Sequence, residues 1–187
     1  MMSRRNKAKR FESIALAIII AVSFSFGLSS VAFASDYEPE DVQEIIYYAE
    51  EWVTPQTFVI TTMYNLGDGF VATETITTSY ETISRASGTL TQTSTVEIKN
   101  GTSVAATITV TGRFAYDGSS ATVLSASHSR SVNAGYTETS WGTGSGNSGF
   151  LHGAYVTATL GIKQNSTGKS FSETAKVTLS LIHISEP

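Results

Sequence analysis

The sequence predicts an all-β protein, specifically an antiparallel Ig-like β-sandwich of about seven or eight strands. From Phe58 onward the chain is rich in Thr, Ser, β-branched and aromatic residues, and polar and apolar residues alternate along it. Turn-forming Gly, Asn and Asp residues separate these runs at intervals typical of short antiparallel strands. Such punctuated alternation indicates two sheets packed face to face.

Residues 1–34 have the features of an export signal. Five basic residues precede Phe11, Ile14 to Val22 is an apolar run, and Ala32-Phe33-Ala34 is a small-x-small cleavage site. We therefore expect general secretion with cleavage after Ala34, and an extracellular or cell-surface protein that meets the membrane only through its signal peptide. The alternative is an uncleaved anchor extending to Ala34.

The last nine residues, 179–187, resemble one reading frame of a transposon-end adapter used in DNA sequencing. We therefore take Ser35 to Thr178 as the natural mature sequence and exclude the final residues from every site. The alternative is a genuine last strand, because Val177, Leu179 and Leu181 alternate with polar residues.

The mature segment, 35–178, is long enough for one domain with its own core. It contains no cysteine, which excludes disulfides and a lipid-modified cysteine after the signal. Its seven basic and fourteen acidic residues give a formal net charge of −7. Because duplex nucleic acid requires clustered cations, we expect no nucleic-acid partner.

Residues 35–56 are predicted to form an acidic helical segment and linker, with a helix from about Pro39 to Trp52. Thr54-Pro55 ends it, because a residue before proline is driven out of the helical region. The apolar residues recur at helical spacing: Val42, Ile45, Ile46, Ala49 and Val53. We expect this stripe to pack on the β-domain; a partner-binding helix is the alternative.

Residues 57–178 are predicted to form the β-sandwich domain. Its eight predicted strands are Phe58 to Tyr64, Phe70 to Ser79, Thr89 to Lys99, Ser103 to Tyr116, Ala121 to Val132, Tyr136 to Trp141, Ala154 to Lys163 and Ser170 to Thr178. Trp141 to Gly149 reads as a flexible glycine-rich loop.

Two hairpins are predicted in detail. A three-residue loop at Lys99-Asn100-Gly101, with Gly101 in the left-handed region, would pair Val96 with Val104 and keep both apolar sets on one face. Asp117-Gly118 would form a two-residue turn that pairs Phe114 with Ala121.

The strands carry threonines on the face opposite their apolar residues, for example Thr73, Thr75 and Thr77. High β-propensity and a soluble outer face explain this pattern most simply. The alternatives are a pore-forming toxin whose hydroxyl-rich hairpins line a lumen, and an ice-binding face.

Few residues suggest catalysis, and no catalytic residue, metal ligand or cofactor is predicted. His128 and His152 do not have metal-ligand spacing. The Gly-Asn-Ser148-Gly sequence resembles the nucleophile loop of trypsin-like proteases, but no matching histidine motif accompanies it. A secreted hydrolase using Ser148 and His128 is therefore only an alternative.

Aromatic residues near the glycine-rich loop are the candidate ligand-binding site. Tyr136, Trp141, Phe150 and Tyr155 lie close in sequence, and exposed rings can stack on sugars as in carbohydrate-binding modules. The alternative is that they cap the core.

The segment Gly112 to Val132 and the glycine-rich loop resemble small exported all-β proteins of Gram-positive bacteria with no assigned activity. That resemblance implies a non-enzymatic exported protein that acts at or beyond the cell envelope. We expect it to bind an extracellular glycan or protein; a β-pore-forming toxin and a secreted hydrolase are the alternatives.

Overall fold

The computed structural model of the protein describes residues 43–81, 87–117, 119–148 and 153–179. These residues form antiparallel strands and no helix, which confirms the all-β prediction. The nine strands are β1 (Glu44–Thr54), β2 (Thr57–Gly67), β3 (Phe70–Tyr80), β4 (Gly88–Asn100), β5 (Ser103–Tyr116), β6 (Ala121–Val132), β7 (Tyr136–Ser148), β8 (Gly153–Gln164) and β9 (Ser170–Leu179). The predicted signal peptide and residues 180–187 lie outside the described residues.

The strands follow one another in two sheets. β1 to β6 form a six-stranded sheet in sequence order, and β7, β8 and β9 form a three-stranded sheet. The chain passes from one sheet to the other at residues 133–135, where Gly135 adopts a positive φ of 95°. Ig-like sandwiches have Greek-key connections, whereas the strands here follow sequence order within each sheet. The arrangement is therefore all-β and sandwich-like, and the Ig-like topology stays a prediction.

The predicted helix from Pro39 to Trp52 is wrong over its described part. Glu44 to Thr54 is strand β1, which pairs with β2 so that Trp52 lies opposite Phe58. The segment is rich in β-branched and aromatic residues, which favour a strand. Pairing with β2 satisfies its backbone hydrogen bonds, whereas a helix of this length is only marginally stable by itself. Pro55 therefore starts a hairpin turn, in which the Gln56 amide donates to Thr54 Oγ1 at 3.2 Å. The part of the chain that the structure describes has no helix long and apolar enough for a bilayer crossing.

The predicted glycine-rich loop from Trp141 to Gly149 is also wrong over its described part. β7 continues to Ser148, in register with β8. Gly142, Gly144 and Gly146 alternate along β7, so all three lie on one face of the sheet. A Cβ on Gly146 would lie 3.3 Å from the Tyr155 hydroxyl, because the Tyr155 ring lies across this glycine.

The β4–β5 hairpin has a different register from the predicted one. Gly101 has the predicted positive φ, at 58°, but Asn100 pairs with Ser103 across a two-residue turn. A β-bulge then shifts the pairing, so that Val96 lies opposite Ile108 instead of Val104. The bulge absorbs one residue and thereby returns both apolar sets to one face, which the longer loop was expected to do.

The turn between β5 and β6 is longer than predicted. Tyr116 pairs with Ala121, and Phe114 pairs with Val123 instead of Ala121. Asp117 Oδ1 accepts hydrogen bonds from the Ser119 and Ser120 amides at 3.0 and 2.8 Å. This local capping by an Asp side chain favours the longer turn over a two-residue turn.

The core lies between the two sheets and is built mainly from β4, β5 and β8. The largest fully buried side chains are Phe70, Phe114, Ile98, Ile108, Leu160, Ile162, Val110, Val156, Val177 and Ser94. β9 packs mainly on β4 and β5 and only slightly on β3. The three-stranded sheet therefore covers about half of the six-stranded sheet, and the exposure of inner-face side chains rises from 0 % at Ile98 on β4 to 60 % at Trp52 on β1.

Gly112 on β5 is the position where the core leaves least room. A Cβ there would lie 2.5 Å from Phe114 Cζ and 2.9 Å from Val156 Cγ2, a side chain of the opposite sheet. Gly142 on β7 has no atom within 4 Å of the same position. The Phe114 ring thus lies over Gly112 and fills the space between the sheets.

We expect Gly112→Ala to lower the free energy of unfolding by about 1–3 kcal/mol, because the core must shift to admit a methyl group. Gly142→Ala is the matched control and should leave stability unchanged or slightly raised. Urea unfolding followed by tryptophan fluorescence measures both. Equal stability of the two variants would contradict the close packing of the sheets at Gly112.

Candidate functional site

The inner face of β1, β2 and β3 is the surface on which aromatic side chains are most open. The register places Trp52, Phe58 and Thr78 side by side in one row, which continues through Gln92 to Gly112. Because Gly112 faces Val156 of the other sheet, the whole row lies on the inner side. We call the inner-face side chains of β1 to β3 the open face.

Three aromatic rings form the Trp52 cluster at one end of the open face. The Trp52 ring lies 5.0 Å from Phe58 at 45° and 6.2 Å from Tyr80 at 25°, both between centroids. Phe58 and Tyr80 are half-buried, whereas Trp52 is 60 % exposed. Their mutual contacts hold the indole in place while leaving one of its faces to solvent.

Polar groups flank this cluster. Glu50 lies two residues before Trp52 on the same face, and its carboxylate accepts a hydrogen bond from the Tyr48 hydroxyl. In the Trp52 row, Gln92 Nε2 donates to Thr78 Oγ1 at 3.2 Å. The Glu50 carboxylate is therefore the polar group adjacent to Trp52 on this face, whereas the Thr78–Gln92 pair lies on the far side of Phe58.

Two carboxylates lie toward the other end of the open face, where β9 approaches β3. Glu74 Oε1 accepts from Ser94 Oγ at 2.8 Å, and its second oxygen lies 3.5 Å from the Tyr64 hydroxyl. Glu173 on β9 accepts from Gln43 Nε2 at 2.9 Å. The hydrogen bond between Gln43 and Glu173 connects the start of β1 with the edge of the three-stranded sheet.

Burial dominates the titration of this acidic pair. It raises the pKa of Glu173 to about 7, the hydrogen bond from Gln43 opposes the increase, and the nearby Glu74 adds to it. Burial also raises the pKa of Glu74, against the hydrogen bonds from Ser94 and Tyr64. Burial and the Glu74 charge together raise the pKa of Tyr64 to about 12. This part of the open face therefore holds a proton near neutral pH.

Of the sequence-predicted ligand residues, Tyr136 and Trp141 lie on the inner face and pack against the core. Tyr136 meets Phe70 edge-on, with centroids 6.3 Å apart. The Arg130 guanidinium lies 4.5 Å from the centroid of Trp141 and pairs with Glu138 at 2.6 Å. Trp141 is thus covered by a cation–π contact at the junction of β6 and β7.

Tyr155 lies on the opposite side of the three-stranded sheet from Trp141. Trp141 pairs with Leu160 of the core, whereas Tyr155 pairs with Gly146 and alternates with buried residues on β8. Phe150 lies outside the described residues. The structure therefore does not bring Tyr136, Trp141 and Tyr155 together on one surface.

The residues of the alternative hydrolase site lie on different sheets. His128 is on β6 opposite Val110, and Ser148 ends β7 opposite Gly153. His128 Nε2 is buried with no hydrogen-bond partner among the described residues. His152 lies outside them, and no group of three or more His, Cys, Asp or Glu in the described ranges is placed to hold a metal ion.

Trp52, Phe58 and Tyr80 were missed as site residues because Trp52 was assigned to the helix. A strand assignment for 44–54 would have placed Trp52 opposite Phe58 across the Thr54-Pro55 turn. The available signal was the high β-propensity of Ile45 to Tyr48, which competes with the helical spacing.

Comparison of the chain with protein-family models, curated proteins and solved structures finds no match.

The acidic pair predicts how stability depends on pH. The raised pKa of Glu173 means that the folded chain binds this proton more tightly than the unfolded chain, so protonation favours folding. The contribution is fully present below the unfolded pKa of about 4.5 and is lost as pH rises through about 7. We expect the free energy of unfolding to fall by about 1–2 kcal/mol between about pH 5 and pH 8, allowing for solvent screening.

Glu173→Gln should flatten this pH dependence and make the protein more stable than the wild type at the higher pH. Glu97→Gln, which removes a carboxylate from the outer face of β4, should keep the wild-type slope between these pH values. Urea unfolding at a series of pH values measures both. A wild-type slope in Glu173→Gln would show that this carboxyl does not hold the proton.

Proposed function

We propose that the protein is an exported, non-enzymatic binding module that binds carbohydrate on the open face. The observation that carries this proposal is Trp52, a 60 % exposed indole on the side of the sheet that is otherwise turned toward the core. Exposed apolar surface of this kind marks interaction sites in soluble proteins.

The chemistry of the Trp52 cluster suits a sugar ring. A pyranose presents C–H groups on one face, which pack on a flat indole, and hydroxyls at its rim, which need hydrogen-bond partners. The Glu50 carboxylate provides an acceptor beside the indole, and Phe58 and Tyr80 fix the ring orientation. A ring that is already held in place loses little entropy when it binds a ligand.

The charge of the open face indicates which glycans it would accept. Glu50 and Glu74 lie on it, Glu173 of β9 borders it near Glu74, and no Lys or Arg stands on the inner face of β1, β2 or β3 in the described ranges. The Glu50 carboxylate repels an anionic polysaccharide and accepts hydrogen bonds from neutral or amino sugars, and the Glu74–Glu173 pair adds no positive charge. We therefore propose a neutral or amino-sugar glycan as the ligand class.

The site differs from the one that the sequence suggested. Trp141 is held by Arg130 and the core, and Tyr155 alone of the described candidates faces outward from the three-stranded sheet. Tyr155 is therefore the natural test residue for the rival site, because it carries a ring on the other surface of the molecule.

Trp52→Ala should weaken retention on cellulose, chitin or peptidoglycan by about tenfold or more, because loss of a central tryptophan contact costs about 2 kcal/mol. Tyr155→Ala and Leu124→Ala, which removes another exposed apolar side chain, should bind as the wild type does. The measurement is the depletion of protein from solution by each insoluble polysaccharide, with polygalacturonate as the anionic probe.

Three outcomes would count against the proposal. Loss of binding in Tyr155→Ala but not in Trp52→Ala would move the site to the outer face of the three-stranded sheet. Preference for polygalacturonate would contradict the charge argument. Absence of retention on every neutral and amino-sugar probe by the wild type would remove the glycan function itself.

A further inference from the structure

Strand β1 forms the outer edge of the six-stranded sheet, and its apolar side chains are unusually exposed. Ile45, Ile46, Tyr47 and Val53 are 51, 48, 51 and 59 % exposed. These side chains lie outside the Trp52 cluster, so glycan binding does not account for them. In the described ranges β1 pairs only with β2, which leaves its other edge with unpaired backbone groups.

Such an edge is a template for pairing with another chain unless it is protected. Natural edge strands are protected by charged side chains, Pro or β-bulges. Between Glu44 and Thr54 there is no Lys or Pro, and the charges are the carboxylates Glu44, Glu50 and Glu51. Register shifts occur near the two ends of β1, between Ile45 and Tyr47 and between Trp52 and Thr54. The stretch from Tyr47 to Glu51 is regular and therefore able to extend the ladder.

We propose that β1 pairs antiparallel with β1 of a second copy of this chain, about a twofold axis that lies midway between the two copies of Ala49. Directly opposite residues in an antiparallel ladder share a face, so one residue must lie directly opposite its own copy across the axis. With the axis at Ala49, Tyr48 lies opposite Glu50 of the second copy, and Tyr47 lies opposite Glu51. Each tyrosine hydroxyl then has a carboxylate across the interface.

Apolar residues flank this regular stretch at both ends. Ile45 and Ile46 of one chain would lie near Val53 of the other, at the register shifts that bound the stretch. The pairing would therefore shield three exposed side chains of β1, whereas an added strand lies beside the Trp52 ring and not over it. Cross-strand pairs of aromatic and β-branched residues are among those that stabilise antiparallel sheets.

Neighbouring registers are less favourable. An axis at Glu50 would place this carboxylate opposite itself, and like charges directly opposite destabilise a ladder. An axis at Tyr48 would place Ile46 opposite Glu50 and Ile45 opposite Glu51, so that each isoleucine faces a carboxylate. Of these three registers, the one centred on Ala49 pairs each tyrosine of the regular stretch with a glutamate, which favours a second copy as the occupant of this edge.

The arrangement extends the sheet across the twofold axis. Because the axis is normal to the sheet, both Trp52 clusters lie on the same side of the dimer. The pairing does not depend on glycan binding, and dimerisation and retention are measured separately.

The test uses a cysteine at the axis, because the chain has no cysteine of its own. In Ala49→Cys the two thiols face each other across the ladder, at a Cβ separation close to that of a disulfide, about 4.5 Å. Mild oxidation should give a covalent dimer on a non-reducing gel. Glu51→Cys, which faces Tyr47, and Leu124→Cys on β6 are the matched controls and should remain uncross-linked.

Sedimentation equilibrium tests the same interface without a covalent bond. The wild type should sediment as a dimer, and Ala49→Lys should weaken association by about tenfold, because it places two ammonium groups opposite each other. The circular dichroism spectrum of Ala49→Lys should match that of the wild type. A monomeric wild type, or a dimer in which Leu124→Cys cross-links and Ala49→Cys does not, would overturn the proposal.

Discussion

The contact between the inner faces of β4, β5 and β6 and those of β8 and β9 is the interaction on which the rest of the structure depends. It buries the large apolar side chains of both sheets, and this apolar burial is the dominant stabilising term for a chain without disulfides. Gly112 allows the closest approach, since the Phe114 ring lies over it and meets Val156 from the other sheet. The sheets are of unequal width, so the contact reaches only part of the larger one.

The difference in width between the two sheets links the fold to the proposed site. Ile98 on β4 is fully buried, whereas Trp52 on β1 belongs to the same face and is mostly exposed. Between them lie Glu74 and Glu173, where the edge of the smaller sheet approaches β3. The covered half of the large sheet thus provides stability, and the uncovered half presents aromatic and acidic groups in fixed positions.

Alternation and turn residues predicted most of the fold. β5 and β6 begin and end at the predicted residues. Alternation of apolar and polar residues over about a dozen positions fits a strand and does not fit a helix. β1 was missed because its apolar spacing fits a helix, and only pairing with β2, a non-local interaction, decides for the strand. In β7 the alternation of Gly142, Gly144 and Gly146 was read as flexibility, although a period of two is also the period of a strand face.

Hairpin register was harder to predict than strand position. The conflict between a two-residue turn at Gly101 and a shared apolar face was visible in the sequence, but a bulge within β5 resolves it, and bulges leave little trace in composition. The predicted ligand residues do not lie on one surface, for a related reason. Sequence proximity grouped Tyr136, Trp141 and Tyr155, whereas strand alternation puts Tyr155 on the other face of the sheet, and the true neighbours of Trp52 come from separate strands.

The central claim is that the inner face of β1 to β3 is open to solvent, and the fluorescence of Trp52 tests it most directly. The chain has two tryptophans, so Trp141→Phe leaves Trp52 as the only reporter. We expect red-shifted emission that acrylamide quenches efficiently in the folded protein, with Ala49→Lys included to keep the protein monomeric. Blue-shifted emission that acrylamide quenches poorly would show that another part of the chain covers the open face, and would contradict the account.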